Sequence, residues 1–123
     1  MNPGNDIEML DISADHDVWV VMFKQASIGG IAEVEKISDT LRGLVRTQQP
    51  CKMVIDFSRV SFFSSQVLGL LVDLWRRIKN TGGSLLISGI NPQLTRVFRI
   101  THLDKLFVFY ENTPAAVSAL QAL

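Results

Sequence analysis

Between Val54 and Ile78 the sequence reads VIDFSRVSFFSSQVLGLLVDLWRRI, and its hydrophobic period changes once along the way. That single change restricts the folds open to the chain. Val54, Ile55 and Phe57 form a short apolar run rich in strand-favouring residues, which predicts a strand inside a sheet. From Val67 onward the apolar residues fall at helical spacing, Val67, Leu71, Leu74 and Ile78, with Leu68 and Trp75 alongside. Phe62-Phe63-Ser64-Ser65 lies between the two. A serine just before a helical run marks an N-cap, because its oxygen can accept from a helix N–H that has no partner within the helix. With Ser64 as cap, Phe63 and Leu68 take the two positions of a hydrophobic staple. Ser65 then falls in the first turn, its hydroxyl expected at the surface beside N–H groups that favour an anion. On this reading Ser64→Ala costs about 1 kcal/mol for the lost cap.

The rest of the chain repeats the alternation. Ile7, Met9 and Leu10 to Ile12 predict a first strand, Asp15-His16-Asp17 a turn, and Val18 to Phe23 a strand continuous enough to be covered on both faces. Lys24 to Gly30 reads as a loop. Ile31 or Val34, then Ile37, Leu41, Leu44 and Val45, mark an amphipathic helix of about four turns, closed by Gln48-Gln49-Pro50. Lys52 to Phe57 is the next strand. Thr81-Gly82-Gly83 ends the helix that follows the serines, with glycine at the left-handed position. Ser84 to Ser88 is a strand, Asn91-Pro92 opens a short helix holding Leu94, Val97 and Phe98, and Phe107 to Tyr110 is the last strand. Thr113-Pro114 starts a terminal helix through Val117, Leu120 and Leu123. Strands alternating with helices predict a single α/β domain over residues 1–123, with residues 1–5 a frayed terminus and a largely parallel sheet.

Twelve basic and twelve acidic residues give no net charge, which argues against nucleic acid as a direct partner. With 47% apolar residues in 123, a core forms without metal or disulfide. Cys51 is the one cysteine, so no internal disulfide is expected, a reducing compartment is the natural setting, and the residue reads as packing. The opening MNPGND lacks a signal-peptide pattern, and Val67 to Trp75, interrupted by Asp73, falls far short of the roughly 20 residues that span a bilayer. These features predict a cytoplasmic protein without membrane insertion.

Catalytic and metal-binding constellations are not visible. Asp56 ends a strand and reads as a turn cap, and Asp39, Asp73 and Asp104 show no spacing that pairs them with it. His16 and His102 have no ligand three or four residues away, so neither a metal nor a cofactor is expected. Gly82-Gly83 follows a helix and precedes a strand, the reverse of a phosphate loop. Arg76, Arg77 and Lys79, and the pair Arg96 and Arg99 near Lys105, read as helix-end cations or as a docking surface. Phe62 and Phe63 read as core and staple.

VIDFSRVSFFSSQVLGLL resembles the signature of the STAS domain, the module of sulfate transporters and anti-sigma factor antagonists. That signature runs apolar strand, Asp, Leu, Ser, an apolar turn, Asp-Ser-Ser/Thr-Gly, then Leu-Gly-x-Leu. Asp56 matches its strand-end aspartate, Ser65 its phosphorylatable serine, and Leu68 and Gly69 its helix pair. Ser64 stands in place of the Asp, Gln66 of a Ser/Thr, and Val67 of the Gly, adding bulk where a kinase loop docks. TGGSLLISGINPQLTRVFRITHLDKLFVFY is similar to the family's downstream pattern of Gly-Gly, strand, Pro, Phe, Leu and strand. The resemblance implies the order β-β-α-β-α-β-α-β-α, with a mixed, mostly parallel sheet of about five strands. It also implies a regulator without enzymatic activity that binds an anti-sigma factor serine kinase and is switched by phosphorylation at Ser65, with Ser64 the alternative. Partner contacts are then expected from Lys24, Gln25, Ala26 and Ser27, which replace the family's Gly-x-x-Asp, and from Phe63, Ser64, Ser65, Gln66, Val67 and Gly69. The other reading is a stand-alone subunit bound constitutively to another protein, such as a transporter ATPase, without phosphorylation. Oligomeric state is left open.

Overall fold

The computed structural model describes residues 9–122. Ile7, residues 1–5 and Leu123, about which the sequence made expectations, lie outside the described residues. Strands β1 (Leu10–Asp15) and β2 (Val18–Phe23) form a hairpin that pairs Leu10 with Phe23 and Asp15 with Val18. Then follow β3 (Ser27–Ile28), α1 (Ile31–Thr47), β4 (Lys52–Asp56), β5 (Phe62–Phe63), α2 (Ser65–Asn80), β6 (Ser84–Ser88) and α3 (Pro92–Ile100). A 3-10 turn (Leu103–Lys105), β7 (Val108–Tyr110) and α4 (Thr113–Gln121) complete the order. Five strands make one sheet in the order β1-β2-β4-β6-β7, parallel except for β1. The expected α/β architecture is therefore present. Strands β3 and β5, two residues each, form a second parallel ladder that the sequence did not announce.

Side chains alternate across a strand, so each inner strand serves two cores. Trp19, Val21, Phe23, Met53, Ile55, Leu85 and Ile87 join the side chains of α1, α2 and α3. Val18, Val20, Val54 and Leu86 meet Ala116, Val117 and Leu120 of α4. Cover on both faces explains why β4 and β6 read as continuous apolar runs. In α2, Leu71, Leu74 and Ile78 are fully buried, so truncating any one of them to Ala costs about 2–5 kcal/mol. In α1 the core position falls to Val34, while Ile31 at the helix start is 63% exposed.

The connections hold the strand ends in place. At the end of α2, the Gly83 N–H donates to the Ile78 carbonyl at 3.1 Å and the Gly82 N–H to the Lys79 carbonyl at 3.0 Å, with Gly82 at φ +80°. This is the Schellman closure, and it accounts for the glycine expected there. A Cβ on Gly83 would lie 1.8 Å from the Cys51 carbonyl oxygen, so only glycine fits where β6 starts beside β4. Cys51 itself is fully buried and free, and burial pushes its thiol up to about 11. Asn91 caps α3, accepting from the Leu94 N–H at 2.9 Å and donating to the Val60 carbonyl at 3.1 Å. The last helix starts under Asn112, which accepts from the Ala115 N–H at 2.9 Å. Thr113, expected to open that helix, is its first residue, and its side chain is engaged elsewhere.

Candidate partner-binding site

The site is assembled from the end of β4. Asp56, 8% exposed, accepts from the Ser58 N–H at 2.7 Å through one oxygen and from the Thr113 hydroxyl at 2.8 Å through the other. Thr113 in turn lies 2.7 Å from the Ser88 hydroxyl. The carboxylate thus ties the turn after β4 to the start of α4, the turn-capping role expected for it. Beyond that turn, the N–H groups of Ser61 and Phe62 both donate to the Ala26 carbonyl, at 2.7 and 3.1 Å, and the Ser64 N–H donates to the Ile28 carbonyl at 2.9 Å. The segment expected as a free loop, Lys24 to Gly30, is therefore fastened alongside the serine turn by the β3–β5 ladder. Gly29 comes so close that a Cβ on it would lie 4.0 Å from the Ser64 Cβ, which sets the start of α1 beside the start of α2.

Adjacent residues of a strand face opposite ways, and β5 separates its two phenylalanines accordingly. Phe63 is buried, its ring centroid 5.7 Å from that of Phe57 and 5.9 Å from that of Phe98. Phe62 is 58% exposed. Reading Phe62 and Phe63 as core and staple was wrong for Phe62. Phe63, also expected to contact a partner, is instead packed in the core and presents no surface there. Val67 is fully buried in α2, so it offers a partner nothing and does not crowd the turn from outside. Lys24, Gln25, Ala26, Ser27, Ser65, Gln66 and Gly69 are exposed and cluster around the turn.

The two serines also part. Ser64 occupies the N-cap position with an extended backbone, φ −79° and ψ 164°, but makes no side-chain cap bond. The first-turn bond is a backbone one, from the Val67 N–H to the Ser64 carbonyl at 3.0 Å. Its hydroxyl oxygen is buried without a hydrogen-bond partner. The expected cap is thus present in the backbone only: Ser64 holds the N-cap position and its hydroxyl bonds nothing. Ser65, next in the chain, is exposed on a first turn whose N–H groups no side chain covers.

Farther along α2, Asp73 accepts from Arg77 at 2.9 Å and from Arg42 of α1 at 3.1 Å. Burial raises its carboxyl, but the two arginine bonds together outweigh that and hold it below the usual carboxylate range. Asp73 is an inter-helix tie, remote in role from Asp56. Among the described residues no cluster of three or more His, Cys, Asp or Glu side chains is placed to hold a metal ion. No helix among them is long and apolar enough to cross a membrane.

Phe62 and Ile31 are the surface apolar residues that sequence reasoning missed at this end. For Phe62 no sequence signal was available, because the two-residue strand that turns one of the two phenylalanines outward carries no period.

The STAS domain model matches residues 20–116, which span this crossover-built mixed sheet and the serine at the start of its central helix. The chain belongs to that family. It is 23% identical over 79 residues to the anti-sigma F factor antagonist of Paenibacillus polymyxa, covering 64% of this chain and 68% of that one. Among solved structures it is similar to an anti-sigma-factor antagonist STAS domain protein from Planctomyces limnophilus, with 28% identity, TM-score 0.81 and coverage of 91% of this chain and 97% of that one. The Bacillus cell fate determinant SpoIIAA in its phosphorylated form shares the fold, with 16% identity, TM-score 0.69 and coverage of 89% and 98%.

Proposed function

We propose that this chain is a cytoplasmic regulator without enzymatic activity, an anti-sigma factor antagonist that binds a kinase-type anti-sigma factor through the end carrying Lys24 to Ser27, Phe62 and Ser65. Phosphorylation of Ser65 by that partner ends the binding. One observation carries the reading: of two adjacent hydroxyls, Ser65 is exposed on an uncapped helix start while that of Ser64 is buried. The names of the relatives support it, since they are anti-sigma factor antagonists, and a protein of the same fold exists in a phosphorylated form. A phosphate adds nearly two negative charges and three acceptors. Within the domain it meets free N–H groups and the positive end of α2, so the fold tolerates it. At an interface built for a neutral hydroxyl the same dianion must lose its water, and binding weakens.

The test is calorimetric titration of the protein that co-purifies from the native cell, using the chain with and without phosphate on Ser65, beside melting curves of both forms. The reading expects affinity to fall at least about tenfold on phosphorylation with little change in melting temperature. Equal affinity of the two forms would instead favour the constitutive subunit.

A further inference from the structure

One turn along α2 from Ser65 lies a shallow groove of about 430 Å³, lined by Leu68, Gly69, Val72, Asp73, Arg76, Thr101 and Leu103. Two features of it are unexplained by the fold. Gly69 stands inside α2, where glycine is less favourable than alanine, yet a Cβ there would meet nothing within 4 Å. The domain therefore gains nothing from the missing side chain. The charge is also unbalanced. Asp73 is already held by Arg42 and Arg77, and Arg76 at the groove makes no ion pair among the described residues. Of the two charged side chains that line the groove, Asp73 is thus paired and Arg76 is not. Ile100, the chain neighbour of the lining residue Thr101, is 70% exposed.

We propose that this groove seats a helix of the protein partner, one that sets apolar side chains on Leu68, Val72 and Leu103, directs a carboxylate to Arg76, and brings its backbone close at Gly69. Helix-in-groove recognition of this kind needs an apolar floor, a charge match and a small residue at the closest approach. All three stand in line on α2, continuous with the serine turn. The inference rests on the reading that this end of the chain binds a protein, and adds the chemistry of what it binds.

The probe is a synthetic amphipathic helix with a leucine stripe flanked by glutamates, set against the same peptide with lysines, each titrated into the isotope-labelled chain and followed by amide shifts. The glutamate peptide is expected to move the amides of Leu68 to Arg76 and Thr101 to Leu103 and to bind at least about tenfold more tightly than the lysine peptide. Arg76→Glu reverses that preference. Gly69→Ala raises the melting temperature by about 2–6 °C and yet weakens the glutamate peptide about tenfold. Equal binding of the two peptides, no binding, shifts elsewhere, or undiminished affinity in the alanine variant overturns the proposal. So does self-association through this face that Arg76→Glu abolishes, which assigns the groove to a second copy. If phosphorylation of Ser65 still releases the co-purifying partner while the peptides fail, the groove falls alone. If the peptides behave as expected while phosphorylation leaves that partner bound, the switch falls alone.

Discussion

Two of the four helices begin under an asparagine, and two have an N-cap residue that makes no side-chain bond, although at α1 the first-turn Glu33 accepts from the Gly29 N–H at 3.2 Å. The four N-cap residues, Gly30, Ser64, Asn91 and Asn112, all have extended backbones, so main-chain geometry does not separate them. The side chains do. Asn91 and Asn112 each accept from an N–H in the first turn, whereas Gly30 and Ser64 offer no side-chain cap. These last two starts, of α1 and α2, are also the two that lie side by side at the candidate site.

This contrast predicts a graded response to alanine. Asn91→Ala removes the cap of α3 and the bond to Val60, and lowers stability by about 2 kcal/mol, read as a drop in denaturation midpoint with unchanged slope. Asn112→Ala removes one cap on a terminal helix and costs about 1 kcal/mol. A difference in the opposite order would break the account of the capped ends.

Helices whose N-cap makes no side-chain bond must be held along their bodies, and Asp73 does this for α1 and α2. Its carboxyl is lowered in the folded state from an ordinary 3.8. A depressed carboxylate contributes stability that is fully present above its unfolded value and lost as pH falls through the folded one. Wild type should therefore lose stability more steeply than Asp73→Asn below about pH 5, while Asn91→Ala leaves that slope unchanged. Denaturant titrations across the acid range check this, and parallel slopes for wild type and Asp73→Asn would remove the tie.

The smallest effects belong to the serines. Ser64→Ala should stay within about 0.5 kcal/mol of wild type, since it removes a buried hydroxyl that has no partner. Ser65→Ala should do the same, as an exposed change in a first turn. A loss at Ser64 as large as that at Asn112 would restore the side-chain cap and erase the contrast.

Which parts of this were legible follows from what each signal encodes. The strand-to-helix change after Phe57, the asparagine and proline before Leu94, and the paired glycines after α2 are local signals, each naming its own element. The β3–β5 ladder was not legible. Two-residue strands carry no period, and the bond from Phe62 to Ala26 joins segments far apart in the chain. The Ser64 cap was read correctly as a position and wrongly as a bond, because the sequence shows the residue type and not the surroundings that bury its hydroxyl. Of the candidate site, Ser65 was expected from its match to the motif and the Lys24 to Ser27 segment from its place after the second strand, both found at the surface. Phe62 and Ile31 emerged only once the faces of their elements were known.

The most direct test of the central claim, that the bare start of α2 presents Ser65 and withholds Ser64, is a site-resolved phosphate measurement. The chain is incubated with the co-purifying partner and magnesium ATP, and the peptide spanning the turn is fragmented in the mass spectrometer. The account predicts phosphate on Ser65 and none on Ser64, and none on the peptide from Ser65→Ala. Phosphate on Ser64, or a chain left unmodified by the partner that binds it, contradicts the account.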